Sequence, residues 1–114
     1  MSEAIQEAVE LVRSFRLEAN AQNVAIFDRD GTVIAADLDG AFDAQSLAAD
    51  LEDAPDREFD VAFEDGEQRH IKLEPFINGR YTLFVMYDDH STLGLVRMNI
   101  KRTREKFENV LGRL

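Results

Sequence analysis

The chain has no cysteine, only two histidines and no apolar run near the length of a membrane span. Without cysteine there can be no disulfide framework, no thiolate nucleophile and no zinc ribbon. A membrane-crossing helix takes about 20 apolar residues, and the longest stretches here are far shorter. Met1-Ser2-Glu3-Ala4 lacks the basic start and apolar core of a secretory signal. The expected location is therefore the cytoplasm, with no membrane contact. Glycine-rich phosphate loops are also missing. So is positive charge in the middle of the chain: from Asp28 to Glu67, fourteen acidic side chains face only Arg29 and Arg57. With a net charge of −10, nucleic acid is an unsuitable general partner.

What is present describes one domain, residues 1–114, with 45% hydrophobic residues and enough length for a real core. The charge is polarised. Between Arg97 and Arg113 six basic residues outnumber Glu105 and Glu108, a pattern suited to steering a charged protein partner.

Val24–Ala36, VAIFDRDGTVIAA, supports two incompatible readings. An apolar strand ending in Asp28-Arg29-Asp30-Gly31-Thr32 matches the nucleophile motif of the magnesium-dependent dehalogenase-type phosphatases. There Asp28 would attack phosphorus and Asp30 would serve as acid/base. The same letters also spell two strands joined by a tight turn, because Gly31 accepts positive φ without a Cβ clash. Length favours the turn. Each parallel crossover uses roughly 30 residues, and the phosphatase sheet would need more chain than exists. Asp88-Asp89 and Lys72 imitate further parts of that site, yet no strand-end Ser or Thr completes it.

Hydrophobic periodicity places the remaining elements. Glu3–Asn20 reads as an amphipathic helix with Ile5, Ala8, Val9, Val12, Phe15 and Ala19 inward and Ser2 as its cap. Strands follow at Asn23–Asp28 and Thr32–Asp37, both apolar without alternation, which predicts cover on both faces. Asp43 caps a second helix through Ala54, which Pro55 ends. Arg57–Glu64 and Arg69–Phe76 alternate. Asn78-Gly79 makes a tight hairpin, and the doubly apolar Tyr81–Tyr87 belongs near the sheet centre. Ser91 caps a last helix running to Gly112, with Leu93, Val96, Ile100, Thr103, Phe107, Val110 and Leu114 inward. The order is α-β-β-α-β-β-β-α. Short connections make the sheet mainly antiparallel, so the fold class is α+β.

This order, with Asp-x-Asp-Gly in the first hairpin and YTLFVMYDDHSTLGLVRMNIKRT at Tyr81–Thr103, resembles the Roadblock/dynein light chain family, in its bacterial gliding-protein (Mgl-type) branch. The resemblance implies a five-stranded Roadblock/profilin-like sheet, with the first and last helices on one face and the middle helix on the other. It implies a homodimer through the middle helix and adjacent edge strand, here Leu47, Leu51, Phe59, Val61 and Phe63. It also implies a non-catalytic regulator or scaffold for a Ras-like small GTPase, needing no cofactor. Pro55 makes this middle helix shorter than the family's, which shifts the expected interface toward strand-edge pairing. Arg97, Lys101 and Arg104 on the last helix are candidate partner contacts. A stand-alone dimerising or small-molecule-sensing domain is the alternative. His70 and His90 lack metal-ligand spacing, and His70 reads as an exposed strand residue beside Lys72 and Glu74.

Overall fold

The computed structural model describes residues 3–39, 58–62 and 66–114. The expected cap Ser2, the middle helix Asp43–Ala54 with Leu47 and Leu51, and Phe63 lie outside the described residues. Helix α1 (Glu3–Glu18) leads into β1 (Asn23–Asp28) and β2 (Val33–Asp37). Then come β3 (Glu58–Ala62), β4 (Gln68–Phe76), β5 (Tyr81–Tyr87) and helix α2 (Leu93–Leu111). The strands form one sheet in the order β2-β1-β5-β4-β3, and every neighbouring pair is antiparallel. As the double apolarity of Tyr81–Tyr87 requires, β5 is central.

Both helices pack on one face of the sheet. Ala8, Val12, Phe15 and Ala19 of α1 and Val96, Ile100, Phe107 and Val110 of α2 share a cluster with Val24, Ile26, Leu83, Val85 and Phe76. Phe107 is its pivot, stacked on Phe76 at 5.6 Å and edge-on to Phe15 at 6.2 Å. The opposite face holds a second cluster, Ala25, Phe27, Ile71, Leu73, Phe84 and Met86, with Phe59 packed against it.

Sequence and structure part in three places. Thr32–Asp37 was expected to be covered on both faces; Ile34 and Ala35 do join the helix-side cluster and Val33 and Ala36 pack on the opposite one, but at the sheet margin the cover is partial and only Ala35 of β2 is fully buried. The cap of α2 is Thr92, whose hydroxyl accepts the Leu95 N–H at 3.1 Å. Ser91 is buried and instead donates to the Ala19 carbonyl at 2.5 Å, satisfying an acceptor that the end of α1 leaves free. Leu114 is exposed, while Leu111 and Asn99 take inward positions.

The first hairpin closes as the Asp-Gly letters require. The Asp28 carboxylate accepts the N–H groups of Asp30 and Thr32, both at 2.9 Å. Gly31 holds φ +82°, and Phe27 pairs with Val33 across the strands. At the other hairpin Asn78 and Gly79 both have positive φ, and so does Ile77 at +51°. A β-branched residue is unusual there. Its side chain packs against the main cluster.

Candidate functional site

Among the described residues, strand β3 is one margin of the sheet and pairs with β4. No described strand pairs with the backbone groups along its outer side, the kind of edge that can accept a further strand. Phe59 sits opposite Ile71 and Val61 opposite Arg69. These are the two predicted interface residues that fall on this described strand.

The inner neighbour, β4, turns an ionic row toward the helix layer. His70, Lys72 and Glu74 alternate onto the face that carries Phe76. Register sets Glu58 opposite Lys72 and Asp60 opposite His70, so both cross-strand pairs join opposite signs. Helix α2 lies above them. Arg97 donates to both Glu58 oxygens, at 2.6 and 2.7 Å. Arg104 pairs with Glu74 and lies 4.7 Å over the Phe76 ring. Lys72 is only 7% exposed, with Nζ 3.1 Å from Glu74 and 3.5 Å from Glu58. Arg97, Glu58, Lys72, Glu74 and Arg104 thus form a chain of alternating charge. The Arg97 hydrogen bonds hold the Glu58 carboxyl below the usual carboxylate range.

The three predicted partner contacts therefore differ. Arg97 and Arg104 are tied to the sheet. Lys101 lies between them on the rim of an open cleft of about 330 Å³, with no ion-pair partner among the described residues. Lys72, expected to be exposed, is buried instead, because its register position under α2 surrounds it with acceptors.

His70 was also read as an exposed strand residue. Its side chain is 29% exposed, and its ring lies 5.2 Å from that of Tyr87. Nδ1 faces Asp60 at 2.6 Å and Nε2 faces Asp89 at 3.1 Å. These contacts raise the His70 pKa, the Asp60 hydrogen bond most and Asp89 next. Periodicity could not reveal this arrangement, since it depends on β3 register and on the loop after β5. The signal available was weaker: acidic residues alternate along Glu58–Asp60, and basic or neutral ones along His70–Lys72. Beside His70 an open cleft of about 360 Å³ is bounded by Phe59, Tyr87 and Leu93.

Two further readings meet this geometry. The Asp28 carboxylate is engaged by its own turn, and among the described residues no neighbouring strands run parallel. Among the described residues, no group of three or more His, Asp or Glu side chains is placed to hold a metal ion. No helix of the described residues is long and apolar enough to cross a membrane.

No protein-family model and no curated protein sequence matches the chain. Solved structures do. The fold is that of the Roadblock/LC7 domains. A Roadblock/LC7 domain from Streptomyces avermitilis superposes with a TM-score of 0.58 at 16% identity, covering 86% of this chain and 95% of that one. More particularly, the chain is similar to MglB of Myxococcus xanthus, with a TM-score of 0.75 and 18% identity over 99% of this chain and 93% of MglB. The fold is similar to that of a profilin too. LokiProfilin1, solved with rabbit actin, gives a TM-score of 0.63 at 18% identity over 96% of this chain and 98% of that one.

Proposed function

We propose that this chain is a non-catalytic, cytoplasmic regulator or scaffold that dimerises, binds a Ras-like small GTPase and modulates its nucleotide cycle. The observation that carries the reading is the match to MglB along 99% of the chain. The β3 margin, which no other described strand pairs, supports it, because that is where Roadblock-type dimerisation would need a free strand. In this reading Phe59 and Val61 on β3, Phe63 beyond it, and Leu47 and Leu51 of the middle segment form the two-fold contact. A charge placed there is costly to bury.

The basic stripe of α2 is the second part of the reading. Lys101 offers an unengaged cation to an acidic partner, whereas Arg97 and Arg104 must first leave Glu58 and Glu74. An arginine finger would need such a release. Regulation by reshaping the GTPase asks for none, and the commitment of Asp28 to its turn fits a protein without phosphoryl chemistry of its own.

The test is to purify each Ras-like GTPase of the same genome and follow single-turnover GTP hydrolysis and nucleotide release with and without the protein. A saturable change in either rate, or a stable complex, supports the proposal. The absence of both binding and rate change with every Ras-like GTPase of the same genome would refute it. Phosphate-ester hydrolysis abolished by Asp28→Asn would point to the phosphatase instead.

A further inference from the structure

His70 lies between two acidic side chains, Asp60 on β3 and Asp89 in the loop after β5. A neutral imidazole has one N–H and one bare lone pair. With a carboxylate oxygen at each ring nitrogen, the neutral ring satisfies one neighbour and points a lone pair at the other. Only imidazolium donates to both. We propose that His70 is a pH-operated latch: as imidazolium it ties edge strand β3, through Asp60, to the loop between β5 and α2, through Asp89, and on losing a proton it lets one of them go.

The position gives this local switch a structural reach. Asp60, His70 and Tyr87 form one row across three strands, and Asp89 follows two residues after β5. The ring therefore joins the outermost strand to the entry of α2. Charged and titratable groups approach from every side. Glu58 on β3 is engaged by Arg97 of α2 and by Lys72 of β4. In the loop, Asp88 is held by His90 and Gln22. Asp60 and Asp89 pair with no other cation among the described residues. The Tyr87 phenol is pushed up by burial and by Glu58 and Asp60, so it stays neutral throughout the histidine range.

The direction follows from linkage. The contacts raise His70 above its ordinary value, so their stabilisation is fully present below that value. It is lost as pH rises through the raised one. The latch is closed in mildly acidic solution and opens on the alkaline side.

Two NMR readouts on the intact chain test it. His70 ring shifts followed against pH should give a midpoint above the ordinary histidine value of about 6.5. Asp60→Asn and Asp89→Asn should each bring it down. Amide-exchange protection at Glu58–Ala62, corrected for the intrinsic rate, should fall across the same interval while protection in β5 holds. His70→Gln should flatten that profile, and His90→Gln should leave it as in the wild type. Asp89, on the outside of the loop, supplies a variant that keeps the fold: Asp89→Asn should show lower β3 protection with a weaker pH dependence, since His70 then keeps Asp60 alone. A His70 midpoint at or below the ordinary value would overturn the latch. So would wild-type pH dependence of β3 protection in both His70→Gln and Asp89→Asn. The latch belongs to the single chain. A protein that titrates this way yet stays monomeric would retain the latch and remove the dimer proposed above.

Discussion

Beneath the same two helices, the sheet presents two unlike surfaces. Under α1 and the body of α2, strands β1 and β5 offer Val24, Ile26, Leu83 and Val85, all buried and apolar. Toward the β3 margin the same layer meets Glu58, His70, Lys72 and Glu74. Apolar burial involves no titrating proton and no charge to be screened, and it sets the position of whole elements. Ion pairs depend on geometry, protonation and screening, and at exposed sites they contribute little net stability. The centre therefore determines the fold, while the margin determines how firmly an edge strand and its neighbouring helix are held. A domain that meets partners through its edge gains from having the adjustable contacts there.

Substitutions can break that comparison. The largest effect belongs to the apolar half. Phe107→Ala removes the ring shared by Phe15 and Phe76, and should cost about 3–5 kcal/mol in chemical denaturation. Lys72→Ala removes the cation between Glu58 and Glu74, which then keep Arg97 and Arg104 alone. Both carboxylates are partly hydrated, so about 2 kcal/mol is expected rather than the full cost of an orphaned buried charge. Lys72→Met should recover part of that loss by filling the space. Gly31→Val forces a β-branched residue into the turn at φ +82°, with a cost of about 1–2 kcal/mol and no change at the β3 margin.

The smallest effect sharpens the ionic half. Arg97 is 58% exposed, so Arg97→Ala should cost at most about 1 kcal/mol. Its signature lies in pH dependence. The Glu58 carboxyl is depressed by Arg97, so its contribution is present above the ordinary carboxylate value and lost as pH falls through the depressed one. Arg97→Ala should flatten the acid limb of the stability profile and leave the alkaline side, where His70 acts, unchanged. Denaturation midpoints across the pH range measure both limbs.

Much of the apolar half was legible in the sequence. Period-3.6 stripes placed α1 and α2, and the doubly apolar Tyr81–Tyr87 announced the central strand. Asp28 and Gly31 marked a turn that the structure closes with two hydrogen bonds. The misreadings share one cause. Periodicity reports which residues share a face of their own element, and it is silent on what lies opposite. Thr32–Asp37 looked fully covered, whereas its cover is partial, because apolar residues there do not disclose an edge. His70 and Lys72 looked like solvent-facing polar residues because their partners come from β3, the loop after β5 and α2. Ser91 and Thr92 are both competent caps by type. Only the approach of Ala19 decides that Ser91 serves α1.

The claim that most needs testing is that the β3 margin is where two copies meet. Sedimentation of the wild-type chain and of Val61→Lys, each at the highest attainable concentration and with circular dichroism to check the fold, addresses it directly. The account predicts a dimer for the wild type and a folded monomer for Val61→Lys. A wild-type monomer, or a Val61→Lys dimer as stable as the wild type, would contradict it.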